Sequence, residues 1–179
     1  RSGVGLVTIA TPKSSKDSIA ARVLPEVMVK GVAETESGAV AGEAFDELHD
    51  LFEKADAVAI GSGLSQDEST RKFVQKVIEH RKSPTVVDAD ALNLISPFRG
   101  EALGTMSGPA VIFTPHEGEF MRLLGTTDKD AIKDRVAAVR NFSREHNVIL
   151  VLKGERVLIG HPDGRVVVNP TGNSGLGKA

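Results

Sequence analysis

At 179 residues, 40% of them hydrophobic, the chain is long enough to bury a core, and its length favours one domain over two. A formal net charge of -2 with interspersed signs offers no polycationic surface for nucleic acid, and zero cysteines exclude a disulfide framework, a thiolate zinc site and a cysteine nucleophile. No apolar run reaches the roughly 20 residues that cross a bilayer and no signal-peptide pattern opens the chain, so the expectation is a soluble, cytoplasmic protein with neither a nucleic-acid nor a membrane partner.

Apolar runs rich in β-branched residues follow one another along the chain: GLVTIA from Gly5, VMVKGV from Val27, DAVAIG from Asp56, TVVDA from Thr85, AVIFT from Ala110 and VILVLKG from Val148. Consecutive rather than alternating apolar residues predict strands covered on both faces, hence an α/β layered fold with a mostly parallel central sheet. Helical spacing in the intervening stretches (Phe45, Leu48, Leu51 and Phe52; Phe73, Val74, Val77 and Ile78; Ile132, Val136 and Val139) predicts helices that pack on that sheet. Near the C-terminus, Asp163 and Gly164 separate two apolar runs, a turn signal for a β-hairpin. No linker, repeat or low-complexity tract places a boundary inside the chain. Arg1 enters an apolar segment without a start methionine, and Ala179 closes a glycine-rich stretch, so residues 1–179 are expected to form a single partial domain.

Ligands of open α/β sheets bind at the carboxyl ends of the strands. Four junctions there have unusual chemistry. In IGSGLS, Gly61 and Gly63 precede a helix that begins near Asp67, and their small size either lets backbone approach a ligand closely or simply makes a tight turn. In VVDADALNLI, Asp88 ends a strand, with Asp90 and Asn93 beyond it; these groups could hold a hydroxyl or a metal-bound water, or simply cap the helix. In TPHEGEFMRLL, Thr114 suits a cap and Pro115 a first turn, Glu117 or Glu119 favours the helix dipole, and His116 is a titratable ring on the ligand-binding rim. Lys153 ends the last parallel strand, where it could meet a phosphate, and the glycine-rich stretch from Asn169 suits an anion-binding nest.

In this order, GVGLVTIATP, LPEVMV, IGSGLS, VVDADALNLI, TPHEGEFMRLLG, LKGERVLI, HPDG and NPTGNSGLGKA resemble the C-terminal domain of bacterial YjeF-type proteins, the ADP- or ATP-dependent NAD(P)H-hydrate dehydratases. The resemblance spans essentially the whole chain, and TPHEGEF and NPTGN are its specific elements. It implies a ribokinase-like fold and a metabolite-repair lyase that phosphorylates hydrated NADH or NADPH with ADP or ATP and Mg²⁺, then eliminates phosphate. By this resemblance Gly63, Asp88 and His116 contact the hydrated cofactor. Lys153, Gly154, Glu155, Arg156 and Val157 match the adenine-nucleotide segment, and Asn169, Thr171, Gly172 and Asn173 border the reaction centre on the phosphate side.

The family's catalytic aspartate lies in a GTGD-like loop expected beyond Ala179, and its glycine-rich N-terminal strand and helix are expected before Arg1. Ser62, Ser65 and Val157 depart from the usual GPGLG and from the threonine of the nucleotide segment. The resemblance also implies a homo-oligomer, often a tetramer, and a truncated sheet is expected to expose an apolar edge and helix faces. Two other readings are a ribokinase-like small-molecule kinase that keeps its phosphorylated product, and a catalytically silent binding module should the chain end at Ala179.

Overall fold

The computed structural model describes residues 3–100 and 108–171. In chain order the elements are β1 (Val7–Pro12), α1 (Lys16–Ala20), β2 (Val27–Val32), α2 (Ala44–Glu47), α3 (His49–Lys54), β3 (Val58–Ile60), α4 (Glu68–Glu79) and β4 (Thr85–Val87). There follow α5 (Ala89–Leu94), β5 (Val111–Phe113), α6 (Glu117–Leu124), α7 (Arg135–His146), β6 (Ile149–Leu152), β7 (Val157–Gly160) and β8 (Val166–Asn169). All six apolar runs form strands, as β-branched side chains favour a pleated surface.

The larger sheet has the order β3-β4-β5-β6-β7-β8, parallel through β6 and antiparallel thereafter. The hairpin between β7 and β8 turns where Asp163 and Gly164 predict it, with the Asp163 carboxylate accepting the Arg165 N–H at 2.9 Å. One expectation needs correction. The first two runs do not join the central sheet: β1 and β2 pair in parallel as a separate two-stranded ribbon, in register from Val7 with Val27 to Pro12 with Val32. An apolar run specifies a strand but not its partner, and the ribbon leaves Val4, Leu6, Leu24 and Met28 exposed. Val167 and Val168 are exposed on the edge strand β8 as well.

Helix α4 illustrates how the sequence places its elements. The Asp67 side chain accepts the Ser69 N–H at 2.8 Å and starts the helix, and Phe73, Val74, Val77 and Ile78 turn inward as one stripe. Each such side chain contributes about 1.5–3 kcal/mol relative to exposure. Beneath α6 and α7 lies an aromatic cluster in which Phe98 meets Phe113 edge-on at 5.0 Å and Phe120 meets Phe142 at 5.4 Å. No helix among the described residues is long and apolar enough to cross a membrane.

His146 closes that cluster, 4.4 Å from the Phe142 ring centre and with its side chain only 12% exposed. Burial pushes its imidazole below the ordinary value; Glu145 opposes this and Arg99 adds to it. The unfolded chain therefore takes up the proton more readily than the folded one, so the contribution to stability is complete above about pH 6.5 and is lost as pH falls below it. Thermal scans from pH 7.5 to 5.5, a window chosen to span about pH 6.5, should show the melting midpoint decreasing. His146→Phe, which keeps the ring, should flatten that slope; an unchanged slope would assign the acid sensitivity to other groups.

Candidate active site

The sheet's hydrogen bonds continue past the strands and bring their carboxyl ends to one rim. Asp88 N–H donates to Ile60 O at 3.0 Å, Thr114 N–H to Val87 O at 3.1 Å and Lys153 N–H to Pro115 O at 2.8 Å. These bonds lace four successive strand ends together, and three of the residues singled out by sequence, Asp88, His116 and Lys153, sit on or immediately beside them.

The glycine loop after β3 and the turn after β4 lock against each other. Gly61 has φ +144, and a Cβ built there would lie 1.8 Å from the Asp88 carbonyl oxygen. Ser65 N–H donates to Asp90 Oδ2 at 3.1 Å, so Asp90 is engaged in loop fixation. Two non-glycine residues here adopt left-handed backbone, Ser65 at φ 65 and Ala89 at φ 48. Such residues cost of order 1–3 kcal/mol each and persist where surrounding structure over-determines them. Gly63 is exposed and open, with no atom within 4 Å of a Cβ position, as a ligand-facing turn requires. Asn93 faces elsewhere: its side-chain oxygen accepts from Arg122 Nε at 2.8 Å.

Asp88 both caps α5 and meets a cation. Its Oδ1 accepts the Ala89 N–H and the Lys153 ammonium, each at 2.8 Å. The lysine is 65 residues away in sequence and reaches the carboxylate only because β4 and β6 flank β5. Burial would push the Asp88 carboxyl up, but donation from Lys153 and Ala89, the Lys153 charge and the Thr114 hydroxyl outweigh it, and the group is held below its ordinary value.

At the next junction the cap differs from expectation. Thr114 and Pro115 precede the helix, and His116 is the cap: its Nδ1 accepts the N–H groups of Gly118 and Glu119 at 3.0 and 3.3 Å. Glu119 Oε2 in return accepts the His116 N–H at 2.8 Å, completing a capping box. An acceptor at Nδ1 places the ring proton on Nε2. Glu119 is buried at 6% exposure and its second oxygen lies 3.5 Å from Nε2, so the ring is held from both sides. The Glu three residues after His116 was the sequence signal for this box. Glu117 is not a simple dipole partner; its Oε1 lies 3.2 Å from Arg135 Nε.

Gly154, Glu155 and Arg156 form an exposed turn between β6 and β7. Val157 opens β7 in register with Asn169, the last residue of β8, so the stretch from Asn169 starts beside the end of the Lys153–Val157 segment. Asn169 Oδ1 accepts from the Thr171 N–H at 3.0 Å and hydroxyl at 2.7 Å, an Asx-type turn. Gly172 and Asn173 lie outside the described residues. A cavity of about 450 Å³ adjoins this region, lined by Lys133, Arg135, Val136, Arg156, Leu158 and Val168.

Comparison with known proteins decides the family. The family model described as NAD(P)H-hydrate dehydratase matches residues 1–179. The chain belongs to the NAD(P)H-hydrate dehydratase family. It is 40% identical over 179 residues to a bifunctional NAD(P)H-hydrate repair enzyme of Moorella thermoacetica, covering 100% of this chain and 33% of that one. The ADP/ATP-dependent NAD(P)H-hydrate dehydratase from Bacillus subtilis, co-crystallised with ATP/Mg²⁺, superposes with a TM-score of 0.76 at 30% identity, covering 98% of this chain and 57% of that one. A ribokinase-like superfamily protein from Enterococcus faecalis superposes with a TM-score of 0.70 at 27% identity, over 96% of this chain and 55% of that one. The ribokinase-like fold expected from sequence is therefore present. The chain spans about a third of the length of the curated relative it matches.

Within this dehydratase family, the departures from the usual pattern acquire structural meaning. Ser65 stands where GPGLG ends in glycine and keeps the left-handed conformation that a glycine adopts without cost. Val157 stands at the position of a threonine as the first residue of β7, half-buried, with its backbone fixed by the ladder to Asn169.

Proposed function

We propose that this chain forms one partial dehydratase domain over residues 1–179 and restores hydrated NADH or NADPH to NADH or NADPH with consumption of ADP or ATP. The hydrate's hydroxyl oxygen attacks the terminal phosphoryl group and loses its proton to a base, while the bridging phosphorus-oxygen bond breaks and AMP leaves from ADP, or ADP from ATP; the resulting phosphate ester then loses phosphate and a ring proton, re-forming the carbon-carbon double bond. Phosphate is a far better leaving group than hydroxide, which is why nucleotide consumption drives the dehydration. The observation that carries this reading is the convergence of Asp88 and Lys153 at 2.8 Å, beside His116, on the rim of strand ends.

In this reading Gly63, Asp88 and His116 hold the hydrated cofactor. Lys153 and the Gly154–Val157 turn hold the adenine nucleotide, and the stretch from Asn169 to Asn173 lies toward the phosphates. The base is assigned to the aspartate of a GTGD-like loop following that stretch. Mg²⁺ is assigned to the nucleotide phosphates, whose charge requires it. When bound it would neutralise phosphate charge. The exposed Val4, Leu6 and Met28 of the β1–β2 ribbon suit burial between subunits of a cytoplasmic homo-oligomer, a tetramer in the simplest case.

The test is recovery of dihydronicotinamide absorbance from enzymatically prepared NADH hydrate with ADP, ATP or neither, in the presence of Mg²⁺, on the full-length protein. Recovery is expected only with nucleotide. His116→Ala should reduce kcat/KM by about 10²-fold and also cost about 1 kcal/mol of cap stability. His116→Asn, which retains a capping oxygen, should lose activity with little change in melting midpoint. An intact protein that binds nucleotide but repairs no hydrate would shift the reading to a small-molecule kinase.

A further inference from the structure

We propose that Arg135 is a positioning residue that ties the nucleotide segment to the His116 end of α6; this rests on the reading of Lys153–Val157 as a nucleotide segment. Its guanidinium sits between two elements distant in sequence. On one side Nε lies 3.2 Å from Oε1 of Glu117, the residue that follows His116. On the other, a Cβ at Gly154 would meet Nη2 at 2.6 Å and Cζ at 3.5 Å, so the guanidinium lies directly on the Gly154 backbone and would have to move to admit a side chain there.

Nε and Nη2 are both buried, and neither makes a hydrogen bond of ordinary geometry among the described residues. Buried donors without acceptors cost free energy that a free surface arginine escapes by turning to water. The arginine stays because α7 is anchored along the same face. Val139 and Ser143, one and two turns further on, press against Gly160 at the far end of β7. Helix α7 thus holds both ends of the 154–160 segment, and Arg135 holds the end next to Lys153. Arg135 also lines the cavity beside Arg156, whereas Asp134 commits its Oδ1 to the Ala137 N–H at 2.9 Å. The consequence is that the orientation of the Lys153–Gly154 turn depends on a residue outside the recognisable motifs, and that Glu117 transmits it to the cofactor side.

The experiment uses the full-length protein and compares wild type, Arg135→Met, Arg135→Lys, Glu117→Gln and Arg140→Met by calorimetric titration with ADP and ATP and by repair kinetics. Arg140 is the matched control: another α7 cation, its Nε donates to the Gly164 carbonyl at 3.1 Å at the opposite end of the hairpin. Arg135→Met should weaken nucleotide binding about tenfold and raise the nucleotide KM with it, while the hydrate KM stays within about twofold. Arg135→Lys should recover only part of this, because an ammonium lacks the planar fork. Glu117→Gln should weaken nucleotide binding in the same direction and combine with Arg135→Met less than additively. Arg140→Met should leave nucleotide binding unchanged.

Wild-type affinity in Arg135→Met, or equal losses in Arg135→Met and Arg140→Met that follow the melting midpoint, would overturn the inference. So would a wild-type protein that binds no adenine nucleotide. Nucleotide binding without hydrate repair would instead overturn the proposed reaction alone, since the calorimetric comparison needs no turnover.

Discussion

Gly61→Ala is expected to destabilise the protein by about 3 kcal/mol or more, with a melting midpoint lower by roughly 8 °C or more and loss of repair activity under conditions where the variant is still folded. The added Cβ would sit 1.8 Å from the Asp88 carbonyl oxygen and 2.6 Å from its carbonyl carbon, and backbone cannot swing aside as a side-chain terminus can. Residue 61 also has φ +144, which an L side chain rarely adopts, so the substitution meets dihedral strain as well as collision. Relief requires the glycine loop to part from the turn after β4, breaking the bond from Asp88 N–H to Ile60 O and moving the carboxylate that holds Lys153. Urea denaturation measures the first effect and kcat/KM near the temperature of maximum stability measures the second. A midpoint within about 1 °C of wild type would show that the two loops separate freely and that their contact does not set the site.

The same junction shows where sequence reading reaches and where it ends. The strands are legible because each is a short apolar run rich in β-branched residues, and the hairpin because an Asp-Gly pair separates two such runs. The placement of the candidate residues is legible because in an α/β sheet ligand chemistry concentrates at strand ends, and Asp88, His116 and Lys153 lie there. Membership of the sheet is not legible: β1 and β2 carry the same apolar signal as β3 to β6, yet among the described residues they pair only with each other, since an apolar run does not encode its neighbour. The cap of α6 is misread for a local reason. Thr-Pro mimics a start signal, while the Nδ1 of His116 competes for the same backbone donors and wins with Glu119 as partner. The left-handed backbone at Ser65 does have a sequence signal, a serine where the family pattern has glycine. Arg135 has none, being one basic residue on a helix whose polar face is rich in them. Its importance appears only when Glu117 and Gly154, 37 residues apart in sequence, are brought to either side of it.

The ion pair between Lys153 and Asp88 should be far more valuable to activity than to stability. Both side chains are partly open, at 43% and 36% exposure, and pairs of this kind contribute about 0–1 kcal/mol to folding because water screens them. Lys153→Met is accordingly expected to shift the melting midpoint little. Its effect on repair should be about 10²-fold or more in kcat/KM, since it removes the only cation bonded to Asp88 among the described residues and the charge proposed to meet nucleotide phosphate. Asp88→Asn removes the other half: the amide still accepts the Ala89 N–H, so α5 remains capped, but the lysine loses its counter-charge. If the pair acts as a unit, the double variant will be no more impaired than the worse single one, a departure from additivity of about 1–3 kcal/mol in transition-state free energy. If the pair merely fastens β6 to β4, the result reverses: Lys153→Met lowers the midpoint, kcat/KM is kept, and the two substitutions combine additively in activity. The same substitutions test the electrostatics. Without Lys153 the Asp88 carboxyl loses both a hydrogen bond and a neighbouring charge that favour its ionised form, so its titration, followed by NMR of the side-chain carboxyl carbon, should move up in Lys153→Met.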